Sequence, residues 1–294
     1  MPWWSTLHAR CSLTGDRMMA ATGRQVEIAF AGGGGTRTWL RRQRVAYPFH
    51  VGRALHLPGD APEFCTVYLQ SCSGGLFEHD RLGLAFTVGA GASAHVTTSA
   101  STVVHSMPEG HAEQHVLLHA AEGAVAEYMP DPLILFPGTR LHNTLTVRAH
   151  PTATVICCDS FLAHDPAAQG RPFDWLRSDT RVEDEEGDLL AVDRFVIGGR
   201  QLAAPAPGVH GRHTLQAALM VVHRADPEKA LEALRAALPG GDRVYAGASL
   251  LPGGAGAWMR ALSADAVALR QALREGWAMA RERLTGSRPG IRRK

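Results

Sequence analysis

Apolar and polar residues alternate along most of the chain. Val26, Ile28 and Phe30 are spaced by Glu27 and Ala29, and Leu82, Leu84, Phe86 and Val88 by Gly83, Ala85 and Thr87. Leu145, Val147 and Ala149 form a third set, and Leu215, Ala217, Leu219 and Val221 a fourth. A period of two predicts strands with one face buried and one face wet. Turn residues cut the pattern at short intervals: Gly32 to Gly35, Pro58-Gly59, Gly74-Gly75, Gly89 to Gly91, Pro137-Gly138 and Glu186-Gly187-Asp188. Short strands so punctuated predict a mainly β fold of stacked or layered sheets, either a β-sandwich or a β-helix-like arrangement. The acidic run Glu183 to Asp188 reads as a solvated hairpin tip.

Helical periodicity enters only late, giving about two C-terminal α-helices. Asp226-Pro227 supplies an N-cap and a first-turn proline, the stripe Leu231, Leu234, Leu238 follows, and Pro239-Gly240 ends it. A second helix after Ser263 carries Leu269, Leu273, Trp277, Ala280 and Leu284 on one face, with Gly286 just past its end. These elements form one β-rich domain over 24–286, between an N-terminal extension 1–23, in which Met18 and Met19 offer a later start, and a basic tail 287–294. No repeat of fixed period is visible.

Composition narrows the function classes. The 294 residues are 45% hydrophobic and 20% charged, with a net charge of +2. That is ordinary for a globular protein and too small a charge for a nucleic-acid partner. No apolar run reaches the ~18 residues of a membrane span, and no secretory signal precedes the patterned region. Five cysteines without a CxxC pair fit a reduced, cytoplasmic compartment. Only two lysines occur, Lys229 and Lys294, and neither is followed by Ser or Thr, so the chain holds no nucleotide-cradling P-loop. No GxSxG elbow or dinucleotide loop is present.

His111-Ala112-Glu113-Gln114-His115 is the sharpest candidate constellation. On a strand, His111, Glu113, His115 and His119 share one face, and imidazole with carboxylate suits Ni(II) or Zn(II). The same residues equally describe the wet face of an ordinary strand whose Val116 and Leu118 enter the core. Glu78-His79-Asp80 is a polar loop cluster. Cys157-Cys158 point to opposite faces, so at most one belongs in the core. Asp165 beside His164, and Asp193-Arg194, read as hairpin-end ion pairs. Trp175, Trp258 and Trp277 read as packing anchors.

The stretch 71–110, SCSGGLFEHDRLGLAFTVGAGASAHVTTSASTVVHSMPEG, resembles the UreD (UreH) family of urease accessory proteins. The resemblance rests on Gly74-Gly75-Leu76, Asp80, Leu82, Gly89-Ala90-Gly91 and Thr97-Thr98. Glu127-Tyr128-Met129-Pro130, Leu133 to Phe136 and the C-terminal helix from Met259 onward extend it. Glu78-His79 stands where relatives carry Gly-Gly. The resemblance implies stacked sheets with C-terminal helices and a non-enzymatic scaffold. It implies partners: a UreF-like protein, a UreG-like GTPase and the urease apoenzyme. It also implies nickel as transient cargo, handed on through weak oxygen and nitrogen contacts. Asp80 and Glu127 match acidic positions of the family; Asp131, His105 and the His111/Glu113/His115 face are added from spacing. Two alternatives stay open: a metal-dependent β-fold hydrolase using the His111/Glu113/His115 face, and a metal-free β-sandwich binding module.

Overall fold

The computed structural model describes residues 23–32 and 37–290. The N-terminal extension up to residue 22, most of the Gly32 to Gly35 turn and the last four residues of the basic tail lie outside the described residues.

Seven strands form the first sheet: β1 (Val26–Ala31), β2 (Trp39–Val45), β5 (Arg81–Val88), β8 (Ala112–Ala120), β11 (Arg140–Ala149), β13 (Trp175–Glu183) and β14 (Leu189–Ile197). Their order is β14-β13-β11-β8-β5-β1-β2. From β1 to β13 the neighbours are all parallel, and antiparallel β2 and β14 close the two ends. The second sheet contains β3 (Phe49–Val51), β4 (Phe64–Ser71), β6 (Ser93–Thr98), β9 (Val125–Met129), β12 (Thr154–Ala163), β15 (Leu215–Val222), β16 (Val244–Leu250) and β17 (Gly256–Ser263). Its order is β16-β17-β15-β12-β9-β6-β4-β3, and the short β7 (Thr102–Val104) and β10 (Leu133–Leu135) pair with each other, β10 also with β12.

Through the middle of the chain successive strands alternate between the sheets, so each coil lays one strand on each layer, as in a solenoid. Parallel stacking demands these crossovers, because parallel neighbours cannot be joined by a tight hairpin. The antiparallel β13–β14 hairpin is the exception, and its tip is the acidic Asp184–Asp188 turn.

Two cores result. Between the sheets lie the inward residues of the alternating sets, including Val26, Ile28, Phe86, Leu118, Leu145 and Val147. The second core lies between the far face of the second sheet and the helices α2 (Pro227–Ala236) and α3 (Ala266–Thr285), which follow a short α1 (Gly199–Ala203). Asp226 caps α2 by accepting from the Lys229 N–H at 3.0 Å. Asp265 caps α3 by accepting from Val267 and Ala268, and left-handed Gly286 ends it. α1 has no apolar stripe in the sequence and is an added finding.

The helices cover only the second sheet, which corrects one expectation. Cys157 and Cys158 do point to opposite faces of β12, yet both are buried, because one faces the inter-sheet core and the other the helical layer. Asp193 and Arg194 are likewise not a local pair. Asp193 turns inward to Arg260 on β17, at 2.6 and 2.8 Å, while Arg194 turns outward to Asp179. Asp165 pairs with Arg171 at 2.8 Å. Of the three tryptophans read as packing anchors, Trp277 is buried, while Trp175 and Trp258 are half-buried.

Candidate functional site

The second sheet is interrupted in its middle. β6 ends at Thr98 and its line resumes as β7 only at Thr102; β9 ends at Met129 and resumes as β10 at Leu133. Pro130 and Pro132 flank Asp131 in the second gap. A proline has no N–H to give a ladder, so pairing stops there. The Thr98 hydroxyl takes over by accepting the Asp131 N–H at 2.9 Å, and the Thr97 hydroxyl donates to the Met129 carbonyl at 2.7 Å.

A cavity of about 450 Å³ opens on the inter-sheet side of this break. Its polar lining comes from both layers: Thr98, Tyr128, Asp131 and Asp159 from the second sheet, Gln114 and Asn143 from the first. Gln114 donates to Asn143 at 3.1 Å, which fixes both amides. On the opposite side of the same break a cavity of about 520 Å³ runs beneath the first turns of α3. Ser99, Ala100, Ser101, Pro130, Asp131, Cys158 and Ser160 line both cavities and form their common wall. Asp131 therefore belongs to both spaces.

Asp159 sits deeper. Burial raises its pKa, and nearby Asp193 raises it further; the Ser178 hydroxyl bond and Arg260 work the other way without cancelling these. A carboxyl in that state keeps its proton to higher pH than an exposed one. Nothing in the apolar–polar alternation marked it, although a lone acid inside Cys157-Cys158-Asp159-Ser160-Phe161 is a signal that could have.

The remaining candidates fall in three other places. Glu127 is fully buried under α3: His95 Nδ1 lies 2.7 Å from its carboxylate and the Arg281 guanidinium 3.6 Å away. Arg281 also pairs with Asp60 and lies over the Phe64 ring at 3.4 Å, while the Trp277 ring stacks on His95 at 4.9 Å. Burial by itself would raise the Glu127 pKa, but His95 and Arg281 bring it below the usual range. This arrangement ties helix to sheet.

His111, Glu113 and His115 do meet, on the bare outer face of the first sheet. Glu113 lies 3.0 Å from His111 and 3.4 Å from His115. His119 shares that face but makes no bond to them. His142 joins instead, with its ring 6.0 Å from that of His115 and its Nε2 2.9 Å from Asp179. Burial lowers the His115 pKa. Among the described residues no group of three or more His, Cys, Asp or Glu side chains is disposed to hold a metal ion.

Asp80 and His105 lie at the loop-rich end. Asp80 accepts the Phe77 N–H at 2.8 Å and closes a turn. His105 stacks on Phe77 at 4.3 Å and its Nε2 lies 3.3 Å from the Gly74 carbonyl. Neighbouring Glu78 accepts the backbone N–H groups of Glu109 and Gly110. The seven candidates thus occupy four separate places: Asp131 lines the two cavities at the break, and His105 lines a further, open one of about 440 Å³ at the loop-rich end, beside Ser106, Phe136 and Arg171.

Taken together, the fold and these sites define a layered, solenoid-like β protein with a helical cover, whose most developed interior feature is a polar cavity pair rather than a cluster of reactive groups. The family described as "UreD urease accessory protein" matches residues 22–294. The chain is 46% identical over 277 residues to urease accessory protein UreD 1 of Pseudomonas syringae pv. syringae, covering 94% of this chain and 97% of that one. It is 40% identical over 272 residues to urease accessory protein UreD 1 of Methylorubrum extorquens, covering 92% and 91%. It is 34% identical over 260 residues to urease accessory protein UreD 2 of Streptomyces griseus, covering 85% and 88%. The chain belongs to the UreD family of urease accessory proteins. No helix among the described residues is long and apolar enough to cross a membrane.

Proposed function

We propose that this chain is a non-catalytic scaffold of urease maturation, working in the cytoplasm with a UreF-like protein and a UreG-like GTPase. In this reading it passes nickel to apo-urease as cargo. The observation that carries the reading is the polar cavity at the broken sheet, with Asp131 in the wall that it shares with the cavity beneath α3. Its donors are carboxylate, amide and hydroxyl oxygens spread over both layers. Hard oxygen contacts spaced in this way hold a divalent cation weakly, and weak holding is what transfer requires. The absent P-loop lysine agrees with a division of labour in which a partner hydrolyses nucleotide. Cys65, Cys72, Cys157 and Cys158 are all free thiols, as a reducing compartment would leave them.

The test is Asp131→Ala, expressed in the urease-producing host with the other accessory proteins present. Co-purification with the partners and apo-urease should persist, while nickel per urease and urease activation fall roughly tenfold. Full activation with normal nickel content would overturn the proposed route. Retrieval of no urease-related protein by the wild-type chain would overturn the scaffold reading itself.

A further inference from the structure

The first sheet ends in open water at β2 on one side and β14 on the other, and the two ends are built differently. β2 presents exposed Arg42 and Arg44, and its register with β1 slips between Ala29 and Phe30. Charge and a bulge are the usual means by which an edge strand avoids further pairing. β14 has no bulge along its middle, and Arg194 is its one outward-facing charge. Its register with β13 is continuous from Val192 to Ile197, slipping only near Glu183. Its outward positions are Val192, Arg194 and Val196, and the two valines are 43% and 64% exposed. Among the described residues no backbone hydrogen bond outside the sheet reaches this stretch.

The charge on this edge identifies its complement. Arg194 shares the single carboxylate of Asp179 with Arg177 at 2.8 Å and His142 at 2.9 Å. In the neighbouring row Glu183 serves both Arg148 at 3.0 Å and Arg181 at 3.3 Å. Arg194 is thus one of two guanidinium groups on the single Asp179 carboxylate, and its side chain remains 46% exposed on the outward face of the open edge. A second copy of this chain fits poorly. Antiparallel self-pairing centred here sets one copy's Arg194 against the other's, and like charges directly opposite are destabilising.

We propose that the β14 edge receives an extended acidic segment of a partner protein, added to the first sheet as one more strand. Main-chain hydrogen bonds supply the attraction, and alternate side chains supply the choice. A carboxylate stands opposite Arg194, with apolar residues opposite Val192 and Val196. The recognised pattern is apolar, any residue, Asp or Glu, any residue, apolar. This surface lies on β14, away from the cavity at the sheet break, so the experiment below stands or falls independently of nickel transfer.

The test uses the full chain and a labelled synthetic peptide, Thr-Val-Thr-Glu-Thr-Val-Thr, followed by fluorescence anisotropy at low and high salt. Binding is expected, weakened by salt and lost when alternate backbone nitrogens of the peptide are methylated. A Lys-centred peptide should bind on the order of tenfold more weakly, and Arg194→Glu should reverse that preference. Val196→Thr, a conservative exposed change, should weaken the Glu-centred peptide without changing its charge preference. Equal binding of the Glu and Lys peptides, undiminished binding of the methylated peptide, or no binding at all would each overturn the proposal. So would a concentration-dependent dimer of the chain that Val196→Thr dissolves, which would assign the edge to a second copy.

Discussion

Gly75 has φ +144°, and a Cβ there would sit 2.3 Å from the Val103 carbonyl oxygen. This close approach lets the Leu76 N–H donate to Val103 at 2.8 Å and the His105 N–H donate to Leu76 at 2.9 Å, while the Leu76 side chain is buried. The Gly-Gly-Leu segment thus acts as a seam between a loop and β7. Gly75→Ala should destabilise the fold by on the order of 3 kcal/mol, read from the denaturant midpoint. Gly59→Ala is a control with φ +77° but nothing within 4 Å, and should lose less. An unchanged midpoint for Gly75→Ala would contradict the geometry. The sequence shows that glycines lie here, but not that one of them faces a carbonyl, because that neighbour is 28 residues away (Gly75 to Val103).

Among the elements, α3 depends most on a few polar contacts. Its apolar face, Leu269, Leu273, Trp277 and Ala280, was readable from spacing and packs as expected. Arg281 was not readable. It adjoins that face, is fully buried, and meets Glu127 on β9 and the neighbouring Asp60 and Phe64, two distant parts of the chain. Removing it leaves two buried carboxylates without their cation. Arg281→Ala should therefore cost roughly 3–5 kcal/mol in a denaturation experiment. Adding Glu127→Gln to that variant should recover part of the loss, since one buried charge then disappears. Additive losses would show that the two side chains are not coupled. β12 carries the same lesson in another form. Its adjacent cysteines predicted that at most one of the pair lies in the core, and the helical layer on the far side buries the second as well.

For the molecule as a whole, buried titratable groups set the response to acid. Burial lowers the pKa values of His115, His119 and His223 below the ordinary 6.5. An unfolded chain then binds more protons than the folded one once the pH falls below about 6.5, so stability drops. Glu113 and Glu127 are also lowered in the fold, by their histidine and arginine partners against the effect of burial. Their contribution is present above about 4.5 and is lost as the pH falls through the folded values. Asp159, raised by burial, acts in the opposite direction, so the measurement is made on the Asp159→Asn variant, where the three histidines set the slope above pH 4.5. Tm should accordingly decline from pH 7 to pH 4.5 in a differential scanning measurement. A Tm that held or rose across that window would contradict the burial of these groups.

The chain order alone determined the strand-rich class, the alternating sets, the acidic hairpin, both long C-terminal helices with the Asp226 cap of one and the Gly286 stop of the other, and the family. Each of these is written in a short window: a period of two, a period near 3.6, a capping residue, a motif. Tertiary structure alone decided that the strands wind as a solenoid. The inward ladder Leu84, Val116, Leu145, Thr180 advances by 32, 29 and 35 residues, so no fixed repeat exists to be read. It also decided that Glu127 is locked beneath α3 while Asp131, four residues on, lines two cavities. Local pattern fixes which way a side chain points from its own strand. What stands opposite it depends on which coil stacks there, and that is set by contacts between residues dozens of positions apart.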